Sequence, residues 1–94
     1  MTAGVLKVEL FLHSSGSLKS KRYVLKSLKD RIRRRFNVSV IEAGYQDKWQ
    51  RSVLAIACVA LSQKQLDSSF QKVMNFIEAG REGYEVLRDE VEIL

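Results

Sequence analysis

The stretch Arg51-Ser52-Val53-Leu54-Ala55-Ile56-Ala57-Cys58-Val59-Ala60-Leu61 decides how this chain folds. It reads as a strand, rich in small and β-branched apolar residues. Its longest apolar run, Val53 to Leu61, is nine residues, about half of what a membrane-spanning helix needs. Alternation sends Val53, Ala55, Ala57 and Val59 to one face and Leu54, Ile56, Cys58 and Ala60 to the other. A strand apolar on both faces is usually central in its sheet. The rest of the chain has to supply neighbours for it and a layer to cover it.

On the N-terminal side, Gly44 to about Gln50 reads as a turn, and Phe36 to Ala43 as a second strand. Before that the period changes to 3.6, with Leu18, Leu25, Leu28 and Ile32 on one face of a helix from Leu18 to about Arg35. Ser17 is its natural N-cap. Residues 3–12 alternate, placing Leu6, Val8, Leu10 and Leu12 together and Lys7 and Glu9 opposite, so they form another strand. On the C-terminal side, Ser62 begins a second helix, with Gln65 completing a capping box. Leu66, Phe70, Val73, Met74 and Ile77 line its buried face, and Gly80 and Gly83 stop it. Tyr84 to Leu94 is a last, charge-rich strand.

The order β-α-β-β-α-β predicts an α+β, ferredoxin-like sandwich: a four-stranded antiparallel sheet with two helices on one face. Right-handed crossovers place the first and third strands in the centre. Two helices cover one face only, so an apolar open face suggests a homo-oligomer. The acidic last strand, with Glu85, Asp89, Glu90 and Glu92, reads as a protected sheet edge.

Ninety-four residues make one domain, spanning 1–94. The single cysteine, Cys58, excludes an internal disulfide, and with the single histidine, His13, it cannot form a structural zinc site, so no metal or other cofactor is expected. No signal peptide or membrane span is read at the start, and the expectation is a soluble cytoplasmic protein without a membrane partner. No glycine-rich nucleotide motif is present, and His13 beside serines has no orienting acid, so no enzymatic reaction is identified.

Charge is the distinctive feature. Nine of the sixteen basic residues lie between Lys19 and Arg35, against a single acid, Asp30. That segment carries +8 in a chain of net +5, so the remainder carries −3. Lys19, Arg22, Lys26, Lys29 and Arg33 fall within about an 80° arc of the helix, forming one stripe. Helix electrostatics account for basic residues near the C-terminus, such as Arg31, Arg34 and Arg35. They do not account for Lys19, Arg22 and Lys26, which sit where the macrodipole favours acids. A phosphate backbone or an acidic protein surface would fit the stripe, and RNA is preferred to DNA because no helix-turn-helix is recognisable. A sequence-reading RNA-recognition sheet is disfavoured, since the open face offers at most Phe11 as a stacking residue.

Several other positions have a plain reading beside a functional one. Lys21 falls among the apolar positions of its helix, where it snorkels or contacts a carboxylate or phosphate. The loop Ser14-Ser15-Gly16-Ser17 caps a helix and could hold a phosphate. Trp49, in the turn beside Arg51, more often folds back onto the sheet or a helix end; exposed, the two would form a partner contact. Glu42 and Asp47 are better placed to pair with Arg51 or the basic helix than to act as an acid–base couple.

The segments Ser17-Leu18-Lys19-Ser20-Lys21-Arg22, Val24-Leu25-Lys26-Ser27-Leu28-Lys29, Phe36-Asn37-Val38-Ser39-Val40, Gln46-Asp47 and Trp49-Gln50-Arg51 resemble the bacterial YlxP-like proteins. These are short proteins classed as a domain of unknown function, and the resemblance covers essentially the whole chain. It implies a ferredoxin-like fold, in agreement with the residue pattern, and no activity or catalytic residues. In some bacteria the genes of this family lie near those for translation initiation and ribosome-binding factors, which implies a ribosome-associated or RNA role by association only. The segment from His13 to Ser17 departs from the family's commoner loop. Together these observations predict a non-enzymatic binding protein that engages RNA or a ribosomal particle through Lys19, Lys21, Arg22, Lys26, Lys29 and Arg33. A homo-oligomeric assembly module is the alternative.

Overall fold

A computed structural model describes residues 1–13, 16–80 and 83–94. The elements follow in the order β1 (Thr2–Phe11), α1 (Leu18–Arg35), β2 (Ser39–Gly44), β3 (Arg51–Ala60), α2 (Gln63–Gly80) and β4 (Glu85–Ile93). The four strands form one sheet in the order β2-β3-β1-β4, and every neighbouring pair is antiparallel. This is the α+β ferredoxin-like arrangement expected from the residue pattern, with β1 and β3 in the centre.

The alternation of β1 explains the layering. Leu6, Val8, Leu10 and Leu12 are fully buried under the helices, and β3 adds Leu54 and Ile56 on the same side. The helices meet this layer with Leu25, Leu28 and Ile32 from α1 and Leu66, Phe70, Val73, Met74 and Ile77 from α2. Tyr84 closes the end of the core, buried, with its hydroxyl donating to the carbonyl oxygen of Ile77 at 2.5 Å. A buried phenol has to find such a partner, because an unsatisfied hydroxyl costs more than the ring gains.

Both helix starts are capped. Ser17 Oγ accepts from the Ser20 amide at 3.1 Å, and Ser62 Oγ accepts from the Gln65 amide at 3.2 Å. Gln65 reaches back to the amide of Leu61, one residue before the cap. Most element boundaries fall within one residue of the sequence-based expectation, and the start of β2 differs by three. β2 starts at Ser39 because Phe36 is still tied to the helix, its amide donating to Ile32 at 2.9 Å. Its ring packs edge-on against Phe76, with centroids 5.6 Å apart, and Arg35 lies 5.5 Å from the Phe76 centroid. Ser62 is a cap outside α2, which begins at Gln63.

The open face of the sheet is divided. Ile41 and Val59 are exposed there, and Val5, Val53, Ala55 and Ala57 lie on the same face. The other half is charged: Lys7 lies 3.7 Å from Glu92, and Glu9 is held between Arg51 and Arg88. Glu9 is buried, although its place opposite the leucine row of β1 predicted a solvent-facing residue. Long guanidinium side chains from the neighbouring strands cover it.

Gly4 shows how closely α2 sits on the start of β1. A Cβ at this position would lie 2.9 Å from Leu66 Cδ2, 3.1 Å from the Glu92 carbonyl oxygen and 3.2 Å from Phe70. Gly4→Ala is therefore expected to destabilise the fold by about 1–3 kcal/mol, the usual cost of overpacking. Urea unfolding checks this, with a lower midpoint at unchanged slope as the expected result.

Candidate nucleic-acid interface

The stripe begins with the helical phase of α1. Apolar residues every three to four positions turn one side of α1 onto the sheet. Lys19, Arg22, Lys26, Lys29 and Arg33 then fall along the flank nearest β2, and four of the five are exposed, Lys29 partly so. Over the fourteen steps from Lys19 to Arg33 the helix rises about 21 Å at 1.5 Å per residue.

Two contacts hold the stripe in place. At the C-terminal end, Arg33 Nη2 donates to the Val40 carbonyl oxygen in edge strand β2 at 2.7 Å. Gln46 Nε2 donates to the Glu42 carbonyl two residues further along the same strand at 3.2 Å. Carbonyls two residues apart point the same way in a strand, so these side chains cover acceptors along β2, one of the ways edges are protected from pairing.

At the N-terminal end the anchor is Lys21, which is 1% exposed. Its Nζ lies 2.9 Å from Glu42 Oε2 and donates to the Tyr45 carbonyl oxygen at 2.5 Å. Glu42 Oε2 also accepts from Ser52 Oγ at 2.9 Å. The pair therefore joins α1, β2 and β3 through one carboxylate. A buried ammonium is tolerated only when paired and hydrogen-bonded in this way. Sequence reading placed Lys21 among the anion-contacting residues; its ammonium points inward to Glu42, so it takes no part in the exposed stripe. Glu42 pairs with the basic helix, as its position suggested.

The remaining cations differ in how far they are committed. Asp30 takes Lys26 Nζ at 2.8 Å and Arg33 Nη1 at 3.6 Å. The hydrogen bond from Lys26 holds the Asp30 carboxyl below its ordinary pKa; desolvation opposes it, and the charges of Lys26, Arg33 and Arg34 add to the lowering. Among the described residues, Lys19, Arg22 and Lys29 have no carboxylate within ion-pair distance. Arg35 lies over the rings of Phe36 and Phe76, so part of the C-terminal charge is explained by packing.

The β2–β3 turn adjoins the start of the stripe, because the Tyr45 carbonyl is bound by Lys21. Tyr45 adopts φ 58°, a left-handed conformation uncommon outside glycine. Arg51 lies over its ring at 5.0 Å from the centroid and pairs with Glu9. Trp49 is 53% exposed. The fold-back onto the sheet that is commoner for a hairpin tryptophan does not occur. Tyr23, which sequence reading passed over, is 79% exposed on α1 next to Arg22. Its position one turn from both Lys19 and Lys26 was the available signal.

The other sequence-derived candidates are less productive. Ser14 and Ser15 of the suggested phosphate loop lie outside the described residues. Cys58 is buried in β3. Among the described residues no cluster of His, Cys, Asp and Glu could hold a metal ion, and no helix is long and apolar enough to cross a membrane.

The anchor gives a direct test. Glu42→Ala leaves the Lys21 ammonium buried without its carboxylate, and the expected cost is about 3–5 kcal/mol. The double variant K21M/E42L removes both charges and is expected to be more stable than E42A alone. Thermal or denaturant unfolding of the two variants distinguishes a structural pair from an incidental one.

Residues 3–90 match the family model described as "Protein of unknown function (DUF503)". The chain is also similar to a Bacillus subtilis (strain 168) protein described as "Uncharacterized protein YlxP". The two are 43% identical over 76 residues, covering 81% of this chain and 83% of that relative. With the family match extending over nearly all of β1 to β4, the chain belongs to the DUF503 family of proteins of unknown function.

Proposed function

We propose that this protein is a non-enzymatic binding protein for structured RNA, free or in a ribosomal particle. Binding runs through Lys19, Arg22, Lys26, Lys29 and Arg33. One observation carries this reading: a row of cations about 21 Å long, close to four helical turns, whose members Lys19, Arg22 and Lys29 have no carboxylate partner among the described residues. Lys19 and Arg22 also stand at the helix N-terminal half, where the macrodipole opposes them. Internal stability does not account for cations there, and an external polyanion does.

Lys26 and Arg33 share Asp30 and exchange that partner for phosphate on binding. The remaining three cations need no rearrangement. Neutralised phosphates release counterions, so affinity is expected to fall steeply as salt rises. Filter binding with an RNA hairpin across a salt series measures the slope. Changing Lys19, Arg22 and Lys29 to Gln together is expected to lower that slope by about 0.7–0.9 for each phosphate left without its cation. An absence of wild-type binding at low salt, or an unchanged slope in the triple variant, would rule this function out.

A second reading, self-association through the open sheet face, is favoured by the exposed Ile41 and Val59 beside small Ala55 and Ala57. Such a surface permits close approach of another sheet. Sedimentation at micromolar concentration is expected to give a dimer that Ile41→Asp converts to monomer. A wild-type monomer throughout that range removes this reading.

A further inference from the structure

The stripe does not end in open solvent at its N-terminal end: it runs up to the β2–β3 turn, which is held there by the bond from Lys21 to the Tyr45 carbonyl. Two aromatic side chains of the turn are exposed at that junction, Tyr45 and Trp49. Phosphate binding makes no use of aromatic rings. A cation row for tracking a backbone would therefore be complete without them.

The turn also forms a shallow depression of about 390 Å³, lined by Asp47, Lys48, Trp49, Gln50 and Arg51. Its chemistry is mixed. Asp47 can only accept hydrogen bonds when ionised, Lys48 can only donate, and Gln50 can do both. An acid in the depression disfavours a phosphate. A nucleobase, by contrast, presents a π face and an edge of alternating donors and acceptors, and its exocyclic amine suits a carboxylate acceptor. The Arg51 guanidinium is already occupied by Glu9 and by the Tyr45 ring, so it stiffens the wall of the depression.

We propose that the β2–β3 turn is a base-binding platform: an unpaired nucleotide stacks on Trp49 while its neighbouring phosphates run onto Lys19 and Arg22. This rests on the reading of the stripe as an RNA-backbone contact and adds a substrate class to it. Bases inside a continuous duplex are stacked and out of reach, whereas those of loops, bulges and single strands can splay onto an aromatic side chain. The target is accordingly RNA with unpaired nucleotides beside a helical segment, and an uninterrupted duplex binds through the stripe alone.

Trp49 is the only tryptophan in the chain, so its fluorescence reports this site directly. The probes are a single-stranded oligocytidylate of roughly ten nucleotides, whose bases carry the exocyclic amine and whose length is within the usual site sizes for such binding, and an RNA duplex with the same number of phosphates. Saturation with the single strand is expected to quench Trp49, and saturation with the duplex to leave it unchanged. Trp49→Ala is expected to weaken single-strand binding by roughly 5- to 150-fold, the equivalent of about 1–3 kcal/mol of stacking, with duplex binding unchanged. Trp49→Phe should retain most of the affinity. The half-exposed position of Trp49 makes folding of these variants straightforward to confirm by circular dichroism.

Duplex binding together with single-strand binding insensitive to Trp49→Ala overturns the platform and leaves the stripe standing. Failure of the wild type to bind either probe at low salt overturns both.

Discussion

A lysine buried to 1% exposure cannot stand alone, and the demand of Lys21 for a carboxylate organises the region around it. Glu42 answers from β2, Ser52 from β3 completes the carboxylate, and Tyr45 adds a carbonyl from the turn. One ammonium thus fixes the rotation of α1 about its own axis, its height along β2 and the seat of the β2–β3 turn. Because successive helical residues are turned by about 100°, an inward Lys21 obliges Lys19 and Arg22 to point outward. The exposed charge and the buried charge are two consequences of the same helical phase.

The distribution of charge over the molecule follows from that arrangement. The cation row lies along one flank of α1, and Asp30 draws in two of its members, Lys26 and Arg33. Acids collect on β4 at the opposite edge of the sheet, where Glu92 meets Lys7 and Glu85, Asp89 and Glu90 are exposed. Edge β2 is covered differently: Arg33 and Gln46 cap its carbonyls. Arg33 therefore joins two roles, closing a strand edge and extending the cation row, which separates it from Lys19, Arg22 and Lys29. The proposed RNA surface draws most on the residues that the fold itself does not use.

The fold was legible in the sequence for physical reasons that particular residues make plain. Leu6, Val8, Leu10 and Leu12 have a period of two, and Leu18, Leu25, Leu28 and Ile32 a period near 3.6, and each period belongs to one backbone geometry. The two-faced apolar pattern of residues 53–60 placed β3 in the centre, where β1 and β2 flank it. The cation row was legible on the same grounds, since it needs only the pitch of one helix. Phe36 was less so: a β-favouring residue, it stays tied to the last turn of α1 because Ile32 offers its amide a carbonyl.

The sequence by itself determined the local periods, the strand and helix order and the position of the charge along α1, because each depends on near neighbours in the chain. Only the tertiary structure decided where Lys21, Glu9 and Trp49 point. Lys21 and Glu42 are 21 positions apart, and Arg51 and Glu9 are 42 apart. No local period relates such residues; the sheet register and the packing of α1 bring them together. The exposure of Trp49 depends likewise on a turn held by Lys21 from another element, a contact that the pattern of the turn alone does not contain.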